Sequence, residues 1–286
     1  MKNDIRDLNI FAANIRITMI KGLRELGFGH VGGAMSMVEL MAALYGECML
    51  IDPKSPNWEE RDWYIQSKGH AGPAIYATLA LKGYFPVEDI LTINKGGSNL
   101  PSHCDRNKTA GIDMTTGSLG QGMSTAIGVA LGNKLKKKDS YTYLLLGDGE
   151  CNEGQVWEGA LFAPQHKLDH LIAFVDHNGK QLDGYCKDIC DMGDIRLKFQ
   201  DFGWFAQEVD GHDIQAIVNA VDKAKAVTGK PSMIVLQTEK GRGCTFTEDV
   251  YFNHHVKFTK EQADEAISAL ETQISECCKG VDKTCQ

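Results

Sequence analysis

Nowhere in its 286 residues does the chain hold the roughly 18 consecutive apolar positions that a membrane-spanning helix requires. The opening Met1-Lys2-Asn3-Asp4 lacks the succession of charged, apolar and small residues that marks a secretory signal. Both absences point to a cytoplasmic protein. The nine cysteines are odd in number and scattered from Cys48 to Cys285, which suits reduced thiols better than a disulfide framework. Cys186-Lys187-Asp188-Ile189-Cys190 and the pair Cys277-Cys278 invite a zinc reading, but neither has a second cluster at ligand spacing. There is no excess of positive charge: with 30 basic and 38 acidic residues the net charge is −8, which disfavours non-specific nucleic-acid binding. The basic run Lys134, Lys136, Lys137 and Lys138 stands just before an apolar strand and reads as the solvated end of a helix rather than a polyanion patch. Repeats, low-complexity linkers and composition breaks are missing too, so one domain over residues 1–286 is favoured.

What is present is a succession of helical and extended patterns. Ile5, Leu8, Ile15, Met19, Leu23 and Leu26 fall near helical spacing and predict a helix over 5–27, stopped by Gly27 and Gly29. A second helix is expected after Ser36, with Ser36-Met37-Val38-Glu39 read as a capping box. Residues 62–67 read as a short strand running into Gly69-His70-Ala71-Gly72, followed by a helix over 73–82. Apolar runs predict further strands at 141–146, 171–176 and 233–238, and helices are expected at 123–135, 156–166 and 213–227. Strands alternating with helices imply right-handed crossovers and an α/β fold, a mostly parallel sheet with helices on both faces. From about residue 258 a short helical stretch, 261–277, leads into a polar tail.

In such sheets ligands bind outside the carboxyl ends of the strands, where loops and helix N-termini present backbone N–H groups. Three loops fit that position. Gly117-Ser118-Leu119-Gly120-Gln121-Gly122 permits close backbone approach to an anion, although alone it reads equally well as a turn. Gly147-Asp148-Gly149-Glu150 follows an apolar strand and can aim a carboxylate at a cation while neighbouring N–H groups reach a phosphate. His177-Asn178-Gly179-Lys180 follows the next strand, and Asn178 offers the neutral oxygen that Mg²⁺ or Ca²⁺ accepts beside one carboxylate and diphosphate oxygens. Singly, Asp148 and Asn178 read as turn caps. Together, roughly thirty positions apart with one crossover between them, they belong at the same sheet edge. A dinucleotide-binding fold is disfavoured, because no strand leads into G-x-G-x-x-G with an acid about 20 residues beyond.

The Gly-Asp-Gly segment with its distant asparagine resembles the thiamine-diphosphate-binding motif, and from about Arg16 to Lys257 the chain resembles transketolases. Gly29-His30-Val31-Gly32-Gly33 is similar to the family's first active-site histidine segment, with Val31 where proline is usual. Ser67-Lys68-Gly69-His70 resembles the strand-end histidine near the diphosphate. Pro101-Ser102-His103 and the following Thr115-to-Gly122 loop resemble another catalytic histidine and the loop touching the cofactor, with Ser118 in place of a frequent proline. Lys240-Gly241-Arg242-Gly243 and Asn253-His254-His255 resemble the segment carrying the last histidine, which aligns with His254 while leaving His255 open.

What the resemblance implies is specific. The cofactor would be thiamine diphosphate with Mg²⁺ or Ca²⁺, the metal held by Asp148, Asn178 and Lys180. Cofactor contacts would come from His70, Gly117, Ser118, Leu119, Gly149, Glu150, Asn178 and His254. The catalytic set would be His30, His70, His103 and His254, with Glu153 communicating across a subunit interface. Complete transketolases have three domains and the likeness covers the first, so the expected protein is the N-terminal subunit of a split transketolase, inactive until joined by a C-terminal subunit in a two-plus-two heterotetramer. Its reaction would move a two-carbon ketol unit from a ketose phosphate, or a modified ketose, to an aldose. A deoxyxylulose-phosphate-type synthase, a 2-oxoacid dehydrogenase component, or a non-catalytic protein keeping the fold are the rivals, and the four histidines favour transketolase. Donor and acceptor are not legible.

Overall fold

In chain order the strands are β1 (Phe28–Gly29), β2 (Trp63–Gln66), β3 (Thr142–Gly147), β4 (Leu171–His177), β5 (Phe205–Asp210), β6 (Ser232–Gln237) and β7 (Val256–Lys257). β2 to β6 form one parallel sheet in the order β2-β3-β4-β6-β5, and β1 pairs antiparallel with β7. The computed structural model describes residues 3–279. Met1, Lys2, Cys285 and the rest of the polar tail lie outside the described residues.

The α-helices are α1 (Ile5–Arg24), α2 (Gly32–Met35), α3 (Val38–Ala43), α4 (Gly72–Lys82), α5 (Gln121–Leu135), α6 (Gly154–Gln165), α7 (Cys186–Ile189), α8 (Ile195–Asp201), α9 (Ile214–Lys225) and α10 (Lys260–Lys279). Alternate strand residues serve opposite layers. Tyr143, Leu145, Ile172, Phe174, Ile234 and Leu236 pack with α1, α3, α4, α9 and α10, whereas Leu144, Leu146, Ala173, Val175, Met233 and Val235 pack with α5, α6 and α8. Burial on both faces is why these strands read as unbroken apolar runs, and each buried Leu or Ile contributes roughly 1.5–3 kcal/mol.

Two local features differ from the sequence reading. β5 was not expected: Gln207, Glu208 and Asp210 interrupt its apolar character because it is an edge strand, with Glu208 and Asp210 exposed. Ser36 does not build a capping box. Its hydroxyl donates to Asp176 Oδ2 at 2.6 Å, while Glu39 pairs with Arg16 at 2.8 Å. The C-terminal helix expected over 261–277 is present as α10. Ala263, Ala266, Ile267 and Leu270 are buried in the core shared with α1, and Arg24 clamps Asp264 through two 2.7 Å bonds.

Candidate active site

The carboxyl ends of β2, β3, β4 and β6 open onto one cavity of about 360 Å³, the position where a parallel sheet presents its loops. Ladder register decides which residues meet there. Gly147 pairs with Asp176, so Asp148 leaves β3 beside the end of β4, and its N–H donates to the Asp176 carbonyl at 3.2 Å. The buried Asp148 carboxylate accepts from Gly149 N at 2.7 Å and from Gly179 N at 2.6 Å. Asn178 Oδ1 accepts from Lys180 N at 3.1 Å, and its Nδ2 donates to Asp176 Oδ2 at 3.0 Å.

Burial, reinforced by the neighbouring Asp176 carboxylate, pushes the Asp148 pKa up. A divalent cation reverses that environment, because it favours the ionised form. Among the described residues no three His, Cys, Asp or Glu side chains converge as metal ligands. A hard cation needs no such cluster, since one carboxylate, an amide oxygen, a main-chain oxygen and diphosphate oxygens complete its shell. Each oxygen of Asp148 and the amide oxygen of Asn178 retains a lone pair beyond its present bond. The donor set therefore fits Mg²⁺ or Ca²⁺ bridging to a diphosphate.

Two buried lysines, Lys68 and Lys240, also line the cavity, and neither had been given a role from sequence. Lys68, 2% exposed, pairs with Asp176, which also accepts from Thr238 Oγ1. Lys240, 4% exposed, has no carboxylate partner among the described residues. It donates to the Lys180 carbonyl at 2.9 Å, and burial together with Lys68 lowers its pKa to about 8. Their signal in the sequence was only position, each directly preceding a strand-end glycine.

The glycine-rich loop is held by Glu150. Its buried carboxylate accepts from Ser67 Oγ, from Gly120 N at 2.8 Å and from Gly147 N at 3.0 Å, so this side chain ties three loops together. Gly120, at φ 83°, adopts the left-handed turn that aims the N-terminus of α5 at the cavity. Gly117 and Leu119 line the cavity, as do Gly149 and Lys180, but the exposed Ser118 between them does not. Glu153 lies at the rim, exposed, and its carboxylate accepts no hydrogen bond among the described residues.

Above this floor stand the four histidines singled out by sequence. His30 lies at ring-centroid distances of 5.6 Å from His70, 5.6 Å from His103 and 5.4 Å from His254, and His70 lies 4.6 Å from His254. His254 lines the cavity, whereas His255 is exposed and does not, although its ring lies 4.8 Å from His30 as well as 5.7 Å from Phe28. Burial first, then nearby imidazoles and lysines, lowers His30 to about 4, His70 to about 2 and His254 to about 3, and burial lowers His103 as well. At neutral pH these are uncharged rings, each with one donor and one acceptor nitrogen. They can bond the hydroxyl and carbonyl oxygens of a polyol without adding charge beside the lysines.

The family model described as "Transketolase, thiamine diphosphate binding domain" matches residues 8–273. The chain is 50% identical over 267 residues to the 6-deoxy-6-sulfo-D-fructose transketolase subunit SqwG of Clostridium sp. (strain MSTE9), covering 93% of this chain and 97% of that one. It is 34% identical to an apulose-4-phosphate transketolase subunit of Phocaeicola vulgatus, covering 94% and 96%. The crystal structure of Pichia stipitis transketolase with sedoheptulose 7-phosphate superposes with a TM-score of 0.83 at 29% identity, covering 98% of this chain and 45% of that one. The chain thus spans less than half of that transketolase. Matched along nearly its whole length by both model and subunits, the chain belongs to the transketolase family, as its N-terminal thiamine-diphosphate-binding domain.

Proposed function

We propose that this chain is the cofactor-anchoring subunit of a two-subunit transketolase, which moves a two-carbon ketol unit from a ketose to an aldose with thiamine diphosphate and Mg²⁺. The observation that carries the reading is the stacking of a neutral histidine wall over a cation-ready floor within one cavity. In this reading Asp148, Asn178 and the Lys180 main chain hold the metal. Gly117, Leu119 and Gly149 bring backbone against the diphosphate, and Lys68 and Lys240 neutralise it. Bound thiamine diphosphate supplies the nucleophilic carbon and electron sink that cleavage beside a carbonyl requires. His30, His103 and His254 orient the sugar hydroxyls, and His70 faces the reacting carbon from the end of β2. Neutral imidazoles can take up or return a proton as the substrate oxygens change charge. The metal acts as a template for the diphosphate.

The two relatives named as subunits support the existence of a separate partner subunit. In this reading that partner is C-terminal, Glu153 lies at the shared boundary, and the assembly holds two copies of each chain. They also order the donors: 6-deoxy-6-sulfofructose comes first, at 50% identity, before apulose 4-phosphate at 34%. Asp148→Ala is the direct test. In the complex reconstituted with its C-terminal subunit, the variant is expected to lose Mg²⁺-dependent thiamine diphosphate retention while its circular dichroism stays native. Undiminished retention would remove the metal assignment, and absence of ketol transfer from every donor tried with the wild-type complex would remove the activity.

A further inference from the structure

His254 and Lys240 hang from the same backbone clasp. Asn253, 1% exposed, donates through Nδ2 to the Lys240 carbonyl at 2.6 Å and to the Thr247 carbonyl at 3.0 Å. Its own carbonyl accepts from Gly32 N at 3.0 Å, and Gly241 N donates to the Gly32 carbonyl at 3.0 Å. The backbones that carry the lysine and the histidine are therefore held relative to one another by the Asn253 side chain and by main-chain bonds through Gly32. Within that frame Lys240 Nζ lies 3.4 Å from His254 Nδ1 and 2.9 Å from the Lys180 carbonyl.

An ammonium has three N–H donors and no lone pair, so it cannot accept a hydrogen bond. Nδ1 must then be the acceptor in this contact. A neutral imidazole with Nδ1 accepting carries its proton on Nε2. From this geometry we infer that Lys240 is a positioning residue that sets the tautomer of His254, so that His254 offers the cavity an Nε2–H donor. The third N–H of Lys240 remains for an anion in the same cavity.

The consequence for recognition rests on the proposed function. A histidine locked as a donor binds a substrate oxygen, either carbonyl or hydroxyl, and does not act as a base in that state. His70, 4.6 Å away from His254 by ring centroids, has no lysine bonded to its ring among the described residues and keeps both tautomers open. The division of roles is thus between a fixed donor and an adaptable neighbour, both built into this chain.

The inference can be read without cofactor, substrate or partner. In the full chain labelled with ¹⁵N-histidine at pH 7, long-range proton–nitrogen correlation distinguishes protonated from bare ring nitrogens, and the His254→Gln spectrum assigns the signal. Wild type is expected to show His254 with the proton on Nε2. In Lys240→Met, which keeps a linear side chain of similar length, the preference is expected to collapse into a mixture or reverse. A proton on Nδ1 in the wild type would overturn the inference whatever the variant does. An unchanged Nε2–H tautomer in a folded Lys240→Met would overturn it as well. Neither result depends on whether the assembled protein transfers ketol groups.

Discussion

Replacing Asp176 by alanine is expected to destabilise the fold by about 3–5 kcal/mol, the usual cost of leaving one partner of a buried ion pair alone. Asp176 is fully buried at the end of β4 and accepts from the Lys68 ammonium, from Ser36 Oγ at 2.6 Å, from Asn178 Nδ2 at 3.0 Å and from Thr238 Oγ1. Lys68 is only 2% exposed, so its charge has little access to water once the carboxylate is gone. At an effective dielectric near 20 the contact pair alone is worth about 4 kcal/mol. Lys68→Met removes the other partner and is expected to cost a similar amount. The double variant removes both charges and should cost less than the two singles together, by at least about 2 kcal/mol. Urea-denaturation midpoints of wild type, both singles and the double measure that difference. Strict additivity would refute the buried pair as the source of the loss. The acid dependence has a definite sign. Burial pushes Asp176 up, but the Lys68 ammonium and the surrounding donors outweigh it and hold the carboxyl below its ordinary range. Its contribution is present above the unfolded carboxylate pKa and fades as pH falls through the folded value, so the gap between wild type and Asp176→Ala should narrow in strong acid.

The histidine wall adds a second acid-sensitive window. His30, His70 and His254 are depressed to about 4, 2 and 3 from an ordinary 6.5, so the unfolded chain takes up protons that the folded chain refuses. Stability is complete above pH 6.5 and should fall progressively below it; melting temperatures that stay flat between pH 7 and 5 would contradict this. Gly122→Ala drives a Cβ into Ser67 Oγ and to 2.7 Å from Ser67 Cα, a clash with backbone that should cost roughly 1–3 kcal/mol. Gly128→Ala in the same helix meets open space and should stabilise by up to about 1 kcal/mol. Thermal melts of the pair test the close approach, and equal shifts would deny it.

The sheet's inner strands were legible because each is covered on both faces, which leaves an unbroken apolar run in β3, β4 and β6. β5 was not, since an edge strand carries polar residues at alternate positions and looks like loop. Ser36 misled for a different reason: its true partner, Asp176, is 140 positions away, whereas the capping pattern beside it is local. Asp148 and Asn178 could be placed at one edge from spacing alone, because one crossover between neighbouring strands leaves little freedom. The choice between His254 and His255 could not be made that way. Adjacent residues in an irregular loop point in directions set by the Asn253 clasp, whose partners lie elsewhere in the chain. Lys68 and Lys240 carried no sign of burial, because a lone lysine in sequence looks like any solvated one.

The small β1–β7 ribbon joins Phe28 to Lys257 and Gly29 to Val256, and so brings together segments roughly 230 positions apart. That pairing can form only once nearly the entire polypeptide has been synthesised, and contacts of such long range form slowly. A ribosome-bound intermediate that had emerged through β6 would already hold Asp148 and Asn178, yet His30 would still lack its far neighbour. Completion of the histidine wall is consequently a late event in folding, and a probe sensitive to contact between His30 and His254 would report maturation of the whole molecule rather than of either half.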